Sequence, residues 1–123
     1  MNKLFIILIV LLLLPTVNAS YYNEIREQGK ELGTPEEIYW WTWSINQYEF
    51  QHHRLSLREY WETDIGDCTE VARVQYIMYK SIGLKSRISH GYKNGGKHDY
   101  AEFYNGTWSN FERNTTRVGR GIW

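Results

Sequence analysis

The sequence predicts an α+β domain, with helices first and an antiparallel β-meander after them. Apolar residues recur at helical spacing as far as Ile82, and beyond Gly83 the period shortens to that of strands. Turn signals at Lys93 to Lys97 and at Asn105-Gly106 then divide the remainder into short strands. Helices followed by strands, rather than alternating βαβ units, describe an α+β plan.

Tyr21 to Leu32 forms the first predicted helix, stopped by Gly33. Thr34-Pro35-Glu36-Glu37 starts the second: Thr34 is an N-cap, Pro35 suits the first turn, and Glu37 closes a capping box. Its apolar face is Ile38, Trp41, Ile45 and Tyr48, a spacing that assigns this aromatic stretch to core packing rather than to a ligand platform. Ser56-Leu57-Arg58-Glu59 offers a second capping box for a short helix. Val71, Val74, Met78 and Ile82 mark a helix that starts at Cys68 and ends at Gly83. Lys85 to Tyr92 and His98 to Tyr104 read as strands, and Thr107 to Glu112 as a third. Arg113 to Trp123 has no clear period, with Trp123 a candidate to dock on the core.

Ahead of this plan, Asn2-Lys3 give a basic start, Leu4 to Leu14 are unbroken apolar residues, Pro15 ends the run, and Val17-Asn18-Ala19 has cleavage-site spacing. Residues 1–19 therefore read as an export signal cut after Ala19, and residues 20–123 as one domain in a secreted or extracytoplasmic setting. An uncleaved membrane anchor is the competing reading. Against it, the apolar run is short of the roughly 20 residues that span a bilayer, so membrane contact is expected only through that segment if it is retained.

The chain carries 14 basic and 14 acidic side chains, a balance that offers no electrostatic case for nucleic acid or an anionic membrane surface. Its single cysteine excludes an intramolecular disulfide, so stability rests on the six tryptophans, ten tyrosines and other apolar residues. That cysteine, Cys68, stands in Gly66-Asp67-Cys68-Thr69-Glu70, a loop entering a helix. At a helix N-terminus the dipole and unpaired amide donors favour a thiolate, which makes Cys68 a candidate nucleophile; inert packing is the alternative for a lone cysteine.

An ordered series of motifs resembles the transglutaminase-like core. It comprises Gly66-Asp67-Cys68-Thr69-Glu70-Val71-Ala72, Gly83-Leu84-Lys85-Ser86-Arg87, Gly91-Tyr92, His98-Asp99-Tyr100-Ala101-Glu102-Phe103-Tyr104, and Gly106-Thr107-Trp108-Ser109-Asn110-Phe111-Glu112. The resemblance covers roughly residues 34 to 112, and its specificity lies in the series rather than in any one piece. It implies a papain-like arrangement, with the nucleophile on the helix and its base and orienter on the sheet. Cys68 matches the nucleophile, His98 the general base, and Glu112 the position where the family usually has aspartate. Tyr100 stands where tryptophan is common. Glutamate adds a methylene and a rotor, and shortening it to aspartate is expected to help the rate.

Thiol, imidazole and acid are the groups needed for acyl transfer on peptide or isopeptide amides: a nucleophile, a base that later protonates the leaving amine, and an acceptor that fixes the imidazole tautomer. The Cys68 backbone amide is the candidate oxyanion donor, and an indole or phenol from Trp40 to Tyr48 a candidate second. Hydrolysis is favoured over crosslinking, and the expected partner is a protein, peptide or cell-wall peptide substrate. No cofactor or metal is expected, although His52-His53 and His90 are metal-capable residue types. Asn110 and Asp99 are alternative orienters for the imidazole. Two other readings compete: a catalytically silent module binding protein or cell-wall peptide, and a structural protein paired between chains through Cys68.

Strand register decides whether His98 and Glu112 can meet. A two-residue Asn105-Gly106 turn would turn Glu112 to the opposite face. A three-residue loop of Tyr104, Asn105 and Gly106 would pair Phe103 with Thr107, Glu102 with Trp108, Tyr100 with Asn110 and His98 with Glu112. The three-residue loop is therefore the expectation.

Overall fold

The computed structural model describes residues 20–120, so the predicted export segment and Trp123 lie outside the described residues. Four helices and a four-stranded antiparallel sheet make up an α+β fold with the N-terminal helices preceding the sheet. In chain order these are α1 (Ser20–Leu32), α2 (Pro35–Ile45), β1 (Gln47–Tyr48), α3 (Leu57–Thr63), β2 (Ile65–Gly66), α4 (Cys68–Ser81), β3 (Ser86–Lys93), β4 (Gly96–Tyr104), β5 (Trp108–Ser109) and β6 (Thr115–Arg120). Among the described residues no helix is long and apolar enough to cross a membrane.

The caps work as their residue types require. Thr34 accepts from the Glu37 backbone N–H at the start of α2 without the expected return bond from the Glu37 side chain, whereas Ser56 and Glu59 form the full reciprocal capping box on α3. Asp67 caps α4 through its carboxylate, which accepts from Thr69 N at 3.0 Å and also from Gln51 N at 3.1 Å. α4 is the central helix: Val71, Val74 and Met78 are buried as their spacing predicts, and Gly83 follows its end with φ +87°. Ile25 of α1, Ile38 of α2, Tyr60 of α3 and Ala101 and Phe103 of β4 close the core around it. Between α4 and α2, the buried Gln75 amide donates to Thr42 Oγ1 at 2.8 Å, which satisfies both polar groups.

The second helix departs from expectation. It ends at Ile45 because Asn46 turns extended (φ −74°, ψ 129°), and its buried residues are Ile38, Tyr39 and Thr42. Tyr48 is therefore not on its core face: it lies in β1, which pairs in parallel with β2 as Gln47 to Ile65 and Tyr48 to Gly66, and is 64% exposed. Helical periodicity cannot see this pair, since two residues have no period and the parallel partner is distant in sequence.

β3 and β4 form a hairpin with Lys93 paired to Gly96. Both residues between them have positive φ, Asn94 at 51° and Gly95 at 84°, as a two-residue type I′ turn demands. The loop after β4 has three residues, as expected, but they are Asn105, Gly106 and Thr107: Tyr104 pairs with Trp108 and Phe103 with Ser109. The expected register is thus displaced by two residues, a shift that leaves side-chain facing unchanged because the strand period is two. The expected pairs Phe103 to Thr107 and His98 to Glu112 do not form, and the third strand is only Trp108–Ser109. Asn110 ends it early. Its side-chain oxygen accepts from Glu112 N at 2.9 Å, a local turn that competes with the ladder.

Residues 110–114 then run beside β4 without joining its ladder: Asn110 meets Glu102, Glu112 meets His98, and Asn94 N donates to Asn114 O at the hairpin tip. Beyond the tip the chain returns along the far edge of β3 as β6, giving the order β5-β4-β3-β6. This fourth strand is an addition to the expected three-stranded meander. Gly91 makes room for it, because a Cβ there would lie 1.8 Å from Thr116 O, and the β3–β6 register shifts between His90 and Gly91.

Candidate active site

Three pieces of chain converge at the N-terminus of α4. The helix presents Cys68, β4 presents His98, and the segment wrapping the hairpin presents Glu112. Gly66 lets the chain entering α4 pack closely on its neighbours: a Cβ on it would stand 2.8 Å from the Tyr60 ring and 3.0 Å from Glu70 Cβ. The Asp99 backbone N–H points at Cys68 Sγ (3.4 Å), and Asp99 itself accepts from Thr69 Oγ1 at 2.7 Å, which ties β4 to the helix start beside the thiol.

His98 is buried, and its Nε2 lies 2.7 Å from Glu112 Oε1. With Nε2 facing the carboxylate, Nδ1 is the ring nitrogen left for the thiol of Cys68, whose Sγ lies beside the backbone N–H of the adjoining Asp99. Burial lowers the imidazole pKa, yet hydrogen bonds to Cys68 and Glu112 and the charges of both outweigh it and push the value up to about 9. Tyr100 stacks on the ring at 5.9 Å between centroids and an interplanar angle of 15°, occupying the place for which tryptophan is common.

The Glu112 carboxylate is itself held. Tyr39 Oη donates to Oε2 at 2.8 Å and Lys93 Nζ at 3.3 Å, leaving Oε1 for the imidazole. Burial raises the Glu112 pKa, but the His98 hydrogen bond and charge, with Tyr39 and Lys93, leave it below its ordinary value. Tyr39 moves the opposite way: burial first, then the Glu112 charge, hold it well above the usual phenol range, so it remains a neutral donor.

The structure therefore brings together Cys68, His98 and Glu112, and gives the two alternative orienters other work. Asp99 binds Thr69, and Asn110 binds the Glu112 backbone and Glu102 instead of the imidazole. Tyr39 and Lys93 were not singled out by the sequence. Tyr39 adjoins the buried Ile38 on α2 and follows from no motif, while Lys93 depends on where the hairpin tip meets residue 112.

Two clefts meet at Cys68. One, of about 270 Å³, includes Tyr48, Phe50, Asp67 and Glu70; the other, of about 450 Å³, includes Tyr39, Trp40, Trp43 and His98. Tyr48 borders both, and burial, then the neighbouring Cys68 charge, raise its pKa. Trp40 and Phe50 are also exposed, at 54% and 67%, so this part of the aromatic stretch lines a surface instead of filling the core. Glu70 is buried without a hydrogen-bond partner on either carboxylate oxygen, and burial and the adjacent Asp67 charge push its pKa to about 7.

The family model described as the transglutaminase-like superfamily matches residues 19–113. A crystal structure from Cytophaga hutchinsonii, described as a "Putative Cysteine Protease", superposes with a TM-score of 0.67 at 13% identity, covering 81% of this chain and 42% of that one. The chain thus spans under half the length of that protein, and the likeness is one of fold. No curated protein matches the chain.

Proposed function

Because the chain belongs to the transglutaminase-like superfamily, we propose that it is an exported thiol enzyme that transfers acyl groups from peptide or isopeptide amides, with water as the usual acceptor. The observation that carries this reading is the buried imidazole held on a carboxylate, Nε2 to Oε1 at 2.7 Å, next to a thiol whose Sγ the adjoining Asp99 N–H meets at 3.4 Å. Export rests on the sequence pattern of residues 1–19.

In this reading His98 takes the Cys68 proton and the sulfur attacks the amide carbonyl carbon, forming a C–S bond as the carbonyl π electrons move to oxygen. The Cys68 backbone amide is the proposed donor to that oxyanion, with the Tyr48 phenol as a second. Collapse breaks the C–N bond, and the nitrogen leaves as an amine with the proton held on His98. That step places the leaving amine in the cleft that His98 lines, and the acyl portion in the cleft of Tyr48, Phe50 and Asp67. Water, deprotonated by His98, then attacks the thioester, which releases the acid and restores the thiol. An amine in place of water would give a crosslink; water is favoured by its concentration. Glu112 keeps the imidazole oriented and stabilises its charged form.

Cys68→Ala and His98→Ala should each abolish turnover of peptide amides while the folded state persists, since residues acting as one unit fail together. Alkylation of wild-type Cys68 by iodoacetamide at neutral pH should also fall in His98→Ala. A silent binding module, kept in view by glutamate in the usual aspartate position, predicts instead that alkylation ignores His98. Wild-type turnover in either variant would refute the thiol mechanism through Cys68 and His98.

A further inference from the structure

Resting on the Cys68–His98–Glu112 reading above, we propose that Asn110, braced by Glu102, is a positioning residue that sets Glu112 against His98. Glu112 lies in a stretch with no ladder hydrogen bonds, and glutamate is longer and freer than aspartate. Something else must fix its backbone. The Asn110 side chain does so with both ends of one amide: Oδ1 accepts from Glu112 N at 2.9 Å, and Nδ2 donates to Glu102 Oε2 at 3.2 Å. Chemistry settles the orientation of that amide, because the flipped form would set oxygen against a carboxylate and N–H against N–H.

Glu102 is a firm post for the bridge. It is 4% exposed, and its Oε1 accepts from Ser89 Oγ at 2.6 Å and Arg87 Nε at 2.9 Å, with Arg117 Nε 3.6 Å away. Those partners lie on β3, the other strand of the hairpin that the 110–114 segment wraps, and on β6 at its far edge. Hydrogen bonds to Ser89, Arg87 and Asn110 outweigh the effect of burial and keep the Glu102 carboxyl below its ordinary pKa, so it stays a charged acceptor. The sheet thereby fixes Asn110, Asn110 fixes the Glu112 backbone, and Tyr39 and Lys93 fix the far oxygen, which leaves Oε1 aimed at the imidazole.

The His98 ring reports on this bridge without any substrate. Its titration, followed by NMR of the imidazole and assigned with His98→Ala, reflects Cys68 and Asp99 beside the α4 start, Glu112 with Tyr39 and Lys93, and the adjacent Lys97. Asn110→Ala should lower the His98 midpoint by about one pH unit toward its free value and slow iodoacetamide alkylation of Cys68 at pH 7, with circular dichroism unchanged. Asn110→Asp should match it, since a carboxylate would then face Glu102. Adding Glu102→Gln should recover both readouts by restoring an amide donor opposite the new acceptor. If Asn110→Ala keeps wild-type values while Glu112→Gln lowers them, the bridge is overturned and the triad stands. If the double variant is as impaired as Asn110→Asp alone, the bridge is overturned as well. Should Glu112→Gln itself change neither readout, the triad reading fails and the bridge with it.

Discussion

At the scale of single residues, the length of Glu112 is matched to its surroundings. Its two oxygens span from His98 Nε2 at 2.7 Å to Tyr39 Oη at 2.8 Å, and an aspartate on the same backbone would fall about one carbon–carbon bond short. The geometry therefore reverses the expectation that Glu112→Asp helps the rate. We expect Glu112→Gln and Glu112→Asp each to lower kcat by about 10- to 100-fold, or roughly 1.4 to 2.8 kcal/mol, measured on any amide substrate the wild type cleaves.

The same pair makes stability depend on pH. His98 has a folded-state value of about 9 against an ordinary 6.5, so its contribution is whole below 6.5 and is lost as pH rises through 9. Glu112 has a folded-state value below 4.5, so its contribution is present above 4.5 and is lost as pH falls through that lower value. These are two limbs of one interaction and do not add. Glu70, raised to about 7, adds its own loss between pH 4.5 and 7. The pair is therefore read as the urea stability of the wild type minus that of Glu112→Gln, which should be level between pH 4.5 and 6.5 and decline toward pH 9 by on the order of 3 kcal/mol at most. Glu112→Gln should flatten the alkaline limb. A stability that rises from pH 6.5 to 9 in the wild type would contradict the pairing.

At the scale of elements, the decisive contacts are backbone approaches. β6 reaches β3 only because Gly91 has no side chain, the nearest backbone atom being Thr116 O at 1.8 Å from where a Cβ would stand. Gly91→Ala should displace β6 and cost about 2 kcal/mol or more, with faster hydrogen exchange at Arg117 and Gly119 than in the wild type. Unchanged exchange there would mean that β6 is not held by this pairing. β5 is short for an equally local reason, the capture of the Glu112 N–H by Asn110, which no strand periodicity records.

For the molecule as a whole, the site depends on how residues 110–114 pass the β3–β4 hairpin. Phe111 seats that passage, with its ring 5.4 Å from Tyr39 and 5.7 Å from Phe103. Phe103 in turn meets Tyr79 of α4, so one aromatic chain links the helix that carries Cys68, the strand that carries His98 and the segment that carries Glu112. Phe111→Ala should destabilise the fold by about 2 kcal/mol, less than a fully buried phenylalanine because Phe111 is partly exposed. It should also slow Cys68 alkylation at pH 7, because Glu112 follows directly; a loss of stability with unchanged alkylation would separate the two effects.

The order of the larger elements, helices before strands, was legible in the sequence, as were the start of the helix that carries Cys68 and its buried face; β1, β2 and β6 were not. Capping residues, the 3.6-residue spacing of Val71, Val74 and Met78, and the switch to short alternating strands are local signals, readable within a few residues. The resemblance in motif order also named Cys68, His98 and Glu112 before any distance was known. How His98 and Glu112 meet follows from long-range packing. They meet off the ladder, in a register two residues from the expected one, through a wrap around the hairpin that ends in a fourth strand. It also moved Tyr48 from the core to the cleft, and gave Tyr39, Lys93 and Asn110 their contacts. Each of these outcomes turns on which segments distant in sequence lie side by side, and that is set by packing of the whole chain rather than by the local preference of any residue.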